Sequence, residues 1–589
     1  MSRASADKPA KLVFALLVAA TFAAFFVTQR LKHSPTVVQR VFAEPFFSPH
    51  STTRHTEEKF SFRIKRADEI TVSVVAPNGD EVATLRRDFH LAAYTQLSLR
   101  WSGYTDPPSK LAADGVYRIR VRLRDEGRSV LLSRSFTLHA TAPRPLVTRV
   151  EPAILPAAGP STVTFDAAGT KNPQLTVYRT DVSPPRATAT LAAAAGSNTA
   201  TWDGTRHGRK VGPGTYIVSI RGVDLEGNVG QTPSALPPPP GEIVPGHAGV
   251  TVRYLGVEPP SQSTPAGGAL LVGVDARRAA YAWSLTHLGA SRARKKGSST
   301  APLLKLTAPN GISGVYLLSV QSGAHTTQVP LAVQGPGLQH VLLVLPAIGW
   351  LGADPVDDDG DGLPNTLDAG VPVRTQRVFA GDGLPSGFSD RVAPLLEYLD
   401  RHHLRYDITT DLELAQHRGV PLAGHGGLLL AGDERWLPAN LQRNLRSFVR
   451  RGGSLVSLGV DSLRRSVTLA GGSLSAPTAP APADLFGARI DPLAPLQGPL
   501  TNFLDRIGLF AGGGGQLAGY TQGEATQSVG SGSQLVASAV TGAGRPVLVA
   551  VRYGRGLLVR TGLPEFPSRL AGDPTAQALI GRLWTLLSH

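Results

Sequence analysis

The 589-residue chain contains no cysteine. That absence removes disulfides, thiolate metal sites and every thiol nucleophile. Acidic residues are the minority, 44 against 59 Lys and Arg, for a formal charge of +15. The excess is spread along the chain rather than gathered into a basic patch interleaved with aromatics, so nucleic acid is not an expected partner. An anionic envelope polymer, a glycan or an anionic lipid surface suits a diffuse positive charge better. No Gly-x-Ser-x-Gly elbow follows a strand in the C-terminal part; "GSGSQ" (530–534) falls in a Gly/Ser-rich loop. "FAGGGGQLAG" (510–519) lacks the Lys-Ser/Thr pair that makes a glycine loop a phosphate cradle.

What is present begins with an apolar run of seventeen residues, Leu12 to Thr28, with Lys11 before it and Arg30 and Lys32 after it. At about 1.5 Å per residue this is near the lower limit for crossing a bilayer. No small-x-small site with a polar start follows it, which favours an uncleaved signal anchor over a cleaved signal peptide. The expected arrangement for 1–34 is a cytoplasmic tip with Arg3, Lys8 and Lys11, then the anchor helix, with the large C-terminal part outside.

The length calls for several domains. From Val37 to Gln334 short alternating strands such as "KFSFRIKR", "YRIRVRL" and "YIVSIRG" are separated by Asn-Gly, Asp-Gly and Gly-Pro turns. Two segments repeat: Trp101-Ser-Gly103 before Asp114-Gly115-Val-Tyr117, and Trp202-Asp-Gly204 before Pro213-Gly214-Thr-Tyr216. Trp101 and Trp202 are either platforms for a sugar ring or plugs of small sandwich cores, and the size of such cores favours plugs. "FSPHS" (47–51) and "APNGDEVATL" (76–85) complete a pattern that resembles the immunoglobulin-like module of the flagellar hook-capping protein and of many bacterial surface proteins. The expected modules are 35–143 and 144–235. A stiff Pro-rich linker at 236–249 and a third β-sandwich at 250–336, with Ser313-Gly-Val-Tyr316 before a strand, would complete a stalk.

After Gly337 the period changes. "HVLLVLPAIGW" (340–350) reads as a strand covered on both faces. In "LPANLQRNLRSFVRRGG" the residues Leu441, Leu445, Phe448 and Val449 form one helical face, with Arg443, Arg446 and Arg450 outside. Strands alternating with helices predict a mainly parallel sheet for 337–589. "RYDITTDLEL", "LLLAGDERWLPANLQRNLRSFVRRGGSLVSLG" and "VRYGRGLLVRTG" resemble the C-terminal domain of the N,N-dimethylformamidase large subunit. The fold this implies is the three-layer α/β class I glutamine amidotransferase-like one. The resemblance further implies an iron site of two Tyr and one Glu, the Glu lying in a "GHDEYW"-like segment. Here that segment is Ala431-Gly432-Asp433-Glu434-Arg435-Trp436, so Glu434 carries over as the catalytic metal ligand, for iron or zinc, while the family's His and Tyr of the segment are replaced. Tyr398 and Tyr406 are the nearest candidate phenolates. Without Cys, glutamine amidotransfer itself is excluded. A plain capping role for Glu434 at the next helix competes with the metal reading.

Between Asp354 and Asp368, "DPVDDDGDGLPNTLD", six carboxylates fall within fifteen residues without a Lys or Arg. Counted from Asp357, positions 1, 3 and 5 are Asp357, Asp359 and Asp361. Gly362 is at 6, the Leu363 carbonyl at 7, Asn365 at 9 and Asp368 at 12. This is the ligand spacing of a calcium loop, and it resembles the "DxDxDG" loops of thrombospondin type 3 repeats. An unfilled acidic loop is the alternative. The sequence therefore points to a membrane-anchored, extracytoplasmic bacterial protein with three all-β immunoglobulin-like sandwiches and a non-catalytic amidotransferase-like domain, serving binding or envelope structure. The rival is a metal-dependent amide hydrolase.

Overall fold

A computed structural model describes residues 7–32, 36–52, 55–106, 109–156, 158–194, 196–542 and 544–589. Arg3 lies outside them, and the side chains of Lys8, Arg30 and Lys32 are likewise not described. Asp7–Lys32 is helical, and its stretch Lys11–Gln29 is long and apolar enough to cross a membrane. The chain folds as two compact units. One comprises 1–145, 167–173 and 221–231; the other holds 146–166, 174–220 and 232–589.

In the first unit, strands within 38–138 form a three-stranded and a five-stranded sheet. Alternation places Phe60, Phe62 and Ile64 of one sheet, and Tyr117, Ile119, Val121 and Leu123 of the other, in a common core. Trp101 is 2% exposed and packs edge-on against Tyr117 at 5.0 Å and Phe47 at 5.6 Å. Trp202 is as deeply buried, 5.3 Å from Tyr216. The two share their polar ties as well. Each indole donates to the carbonyl three residues on (Tyr104, 2.9 Å; Thr205, 3.1 Å). Each Tyr hydroxyl donates to the carbonyl four residues back (Ala113, 2.6 Å; Gly212, 2.7 Å). The tryptophans are core plugs.

The Gly-x-Tyr strand recurs three times in one register. Gly115 faces Leu138, Gly214 faces Val252 and Gly314 faces Val333 across the sheet. In all three cases a short strand pairs in parallel with the far side of that partner, at Phe46–Phe47, Ile154–Leu155 and Thr264–Pro265. This register corrects the expected boundary at 249. The strand Gly249–Val252 is the closing strand of the second sandwich, and residues 236–248 are an excursion between two segments, Val229–Thr232 and Gly249–Val252, that both pair with Gly214–Val223. The third sandwich begins after it, with sheets drawn from 256–334.

The rest of the second unit is built on a nine-stranded sheet in the order 407–410, 341–345, 427–430, 454–457, 556–560, 546–553, 533–541, 500–505, 516–517. The first five strands are parallel and the others antiparallel. Both faces are covered, as the alternation within single strands shows. Val341, Leu343 and Leu345 enter a core with the helices Ala393–Arg401 and Pro574–Ser588, while Leu342 and Val344 enter another with Leu441, Leu445, Phe448 and Val449 of Ala439–Arg450. That is why the central strands read as unbroken apolar runs.

Candidate functional site

The strand Val341–Leu345 leads to Asp407–Thr410 on one side, and the chain then crosses to Gly427–Leu430 on the other. Between the carboxyl ends of strands that diverge in this way an open sheet leaves a crevice. Here the crevice is a cleft of about 320 Å³ lined by Pro346, Trp350, Asp390, Arg391, Asp433 and Arg435, among others. The Arg391 guanidinium donates to Asp433 Oδ2, and Asp433 Oδ1 accepts from Val460 N at 2.8 Å. Burial raises the Asp433 carboxyl above its usual range, and Arg391 opposes the shift.

Glu434, the next residue, does not line this cleft. Its side chain is sealed beside Asp411, and both residues are 1% exposed. Ile348 N and Leu412 N donate to Asp411 Oδ1 at 2.9 and 2.7 Å. With both acids ionised, neither Glu434 oxygen has a donor; a single proton held by Glu434 converts the contact into a hydrogen bond to Asp411. Burial, then the Asp411 charge, pushes Glu434 well above its ordinary value, and burial lifts Asp411 to about 7. The pair ties together the chain segments that follow three parallel strands. Glu434 does not cap the next helix, whose N-cap is Pro438.

The tyrosines lie elsewhere. Tyr406 immediately precedes Asp407 at the amino end of its strand, so roughly 16 Å of extended chain separates it from Asp411. Its hydroxyl donates to Asp400 Oδ1 at 2.9 Å, and Asp400 faces His287 of the third sandwich at 3.6 Å. Burial and Asp400 raise the Tyr406 hydroxyl well above its usual value, which opposes a phenolate. The Tyr398 ring packs against His402 at 4.2 Å. A Glu434–Tyr398–Tyr406 set thus does not fit one iron or zinc ion: the carboxyl is committed to Asp411 and one phenol to the opposite end of the sheet. His425 is buried, with Nε2 2.9 Å from Asp407 Oδ2.

The acidic loop divides its charges. Arg377, with a side chain 2% exposed, approaches Asp358 at 3.1 Å and Asp354 at 3.8 Å. It also donates to the carbonyls of Asp354, Val356 and Asn365. Asp368 is held by Arg435 at 2.8 Å and Arg465 at 3.2 Å, which removes it from position 12 of a calcium loop. Asn365 is turned inward, its Oδ1 accepting from Asp358 N. The remaining three, Asp357, Asp359 and Asp361, converge, with one oxygen of each within 4.8 Å of the others. Asp357 accepts from Gly360 N at 2.7 Å and Gly362 N at 2.9 Å, so the loop wraps its first carboxylate. Burial raises Asp357 to about 7 and Asp361 to about 6, with neighbouring carboxylates adding to both. Gly362, at φ +84, leaves no room for a side chain: a Cβ there would lie 2.8 Å from the Tyr216 carbonyl. The loop is therefore seated on the second sandwich, where Thr180 Oγ1 donates to the Gly362 carbonyl at 2.6 Å.

Sequence reasoning missed Arg377 and Asp411. Arg377 lies nine residues past the loop, and nothing local marks it. Asp411 is visible only as the first residue after a Thr N-cap. No family model matches the chain, and no curated protein matches it. Among solved structures, a β-galactosidase from Bacillus circulans sp. alkalophilus is 15% identical over 32% of this chain and 27% of that one, with a TM-score of 0.24. An exo-β-1,4-mannosidase from Opitutaceae bacterium strain TAV5 is 13% identical over 43% and 36%, with a TM-score of 0.25. An ICAM-5 D1–D4 ectodomain fragment is 14% identical over 50% and 75%, with a TM-score of 0.18. The chain thus spans only about a quarter to a third of either glycosidase, and likenesses of this size carry no argument about what it does.

Proposed function

We propose that this is a membrane-anchored protein whose bulk lies outside the cytoplasm. Immunoglobulin-like modules carry an amidotransferase-like α/β domain that binds rather than turns over, in recognition of an envelope ligand or in envelope structure. One observation supports the loss of catalysis above the rest. The carboxylate that the motif makes the metal ligand, Glu434, is sealed against Asp411, while the cleft beside it is lined by Asp433 and Arg391 instead. Elemental analysis of the purified full-length protein, with amide hydrolysis assayed in parallel, tests this. Iron or zinc that is lost in Glu434→Ala together with turnover would establish the rival, a metal-dependent amide hydrolase.

The acidic loop is read as a calcium brace through Asp357, Asp359 and Asp361. Three converging carboxylates with no ion-pair partner within 4.0 Å among the described residues repel one another unless a hard cation neutralises them. Calcium is expected to raise the melting temperature, and Asp359→Ala to abolish that rise. Equal melting with and without calcium would remove the brace.

A further inference from the structure

A second metal-ligand constellation lies in the first unit, far in sequence from the acidic loop, and it contains an imidazole. The turn 224–228, "DLEGN", follows the strand Gly214–Val223 and brings Asp224 and Glu226 to His139, at the end of the first sandwich. One ligand atom from each of His139, Asp224 and Glu226 lies within 4.8 Å of the others.

The two nitrogens of His139 are in different situations. Nδ1 is 3.2 Å from Asp114 Oδ2, a hydrogen-bonding distance. Nε2 is 3.7 Å from Asp224 Oδ2, too long for a hydrogen bond. It is close to the spacing of two ligands on one tetrahedral ion, about 3.4 Å for bonds of about 2.1 Å. A ring protonated at Nδ1, on the Asp114 side, leaves the Nε2 lone pair toward Asp224. This is the carboxylate–histidine–metal arrangement, in which the outer carboxylate fixes the ring.

The inner ligands are also held in place. Asp224 has a side chain 6% exposed. It accepts from Asn228 N at 2.7 Å and from Asn228 Nδ2 at 2.8 Å. The same amide donates to the His139 carbonyl at 2.8 Å, and Asn228 Oδ1 is bonded to the buried Ser48 hydroxyl. One buried Asn228 therefore positions both a ligand and the backbone of another. Each Asp224 oxygen keeps a lone pair for a cation. The His139 side chain is 42% exposed, which leaves an entry path and room for a water as fourth ligand.

We propose that His139, Asp224 and Glu226 bind a divalent transition-metal ion of the zinc class, with Asp114 and Asn228 as positioning residues. An imidazole with two carboxylates suits zinc rather than calcium, which prefers oxygen ligands alone. The ion would pin the turn 224–228 to the first sandwich and so has a structural role.

The test uses full-length protein in detergent, stripped with chelator and kept in excess calcium to occupy the acidic loop. Titration with zinc chloride is expected to give one equivalent bound per chain. Cobalt(II) in its place should show the visible bands of a tetrahedral nitrogen–oxygen site. His139→Ala is expected to weaken zinc binding at least about 100-fold. Asp114→Asn, which keeps an acceptor for Ala140 N and Thr141 N but loses the charge beside the ring, should weaken it about 10- to 100-fold. Glu226→Gln, on the turn, tests the same ligand set without touching a buried residue, and should also lose the cobalt spectrum. No saturable zinc binding by the wild type, or binding unchanged in both His139→Ala and Glu226→Gln, would overturn the site and leave His139 as an ion-pair partner of Asp114 and Asp224.

Discussion

The loop 354–368 and the Glu434–Asp411 pair both crowd carboxyl groups at the carboxyl side of the large sheet, and they relieve the crowding by different means. In the loop three acids are matched to Arg377, Arg435 and Arg465, and three are left together at partial exposure, wrapped by backbone N–H groups. In the pair no Lys or Arg among the described residues pairs with either acid; both groups are buried, and the raised Glu434 carboxyl favours a proton between them instead. Water access decides which solution is open. A loop that solvent reaches can exchange a metal ion, whereas a proton is enough to relieve a sealed pair.

The sharpest way to break this comparison is to remove the loop's internal cation. Arg377→Met leaves Asp354 and Asp358 buried without their counter-charge, each held only by a backbone N–H, and three carbonyls without their donor. It should cost about 3–5 kcal/mol in urea denaturation. Glu434→Ala comes next, at about 2–4 kcal/mol for a lost buried side chain and a lost donor to Asp411. Glu434→Gln keeps a donor and should cost less than about 1 kcal/mol. If Ala and Gln prove equal, the shared proton is not what holds the pair.

pH sharpens the same contrast. Glu434 and Asp411 have folded values above their unfolded ones, so their contribution is fully present below about pH 4. It is lost as pH rises through about 7 for Asp411, and Glu434, also raised well above its ordinary value, shifts stability the same way. Asp357 and Asp361 act in the same direction through about 7 and about 6. Wild-type stability should therefore decline toward alkaline pH, and above pH 7 the Glu434→Gln curve should be the flatter of the two. Because a metal needs ionised ligands, calcium affinity should rise between pH 6 and 7, measurable by calorimetry. Tyr406→Phe should cost about 1 kcal/mol, for the bond to Asp400, with any bound metal unchanged.

Much of the architecture could be read from the chain because it is written locally. The Gly-x-Tyr strands, the Trp plugs and the face of Ala439–Arg450 each rest on residues a few positions apart. The convergence of Asp357, Asp359 and Asp361 was legible for the same reason, since one turn brings them together. What was hidden depends on distant partners. Asp368 belongs to Arg435 and Arg465, Glu434 to Asp411, Tyr406 to Asp400, and His425 to Asp407. The closing strand Gly249–Val252 was misassigned because four residues after a proline-rich stretch look like the start of something new.

That split strand has a practical side. A fragment of the gene cut at 235 would follow the visible punctuation, yet it would strip Gly214–Ile217 of its partner and leave Ile154–Leu155 with nothing to lie against. A bare apolar edge of that kind recruits other copies of itself. The cut that respects the sandwich falls after Val252, seventeen residues beyond where the prolines invite it.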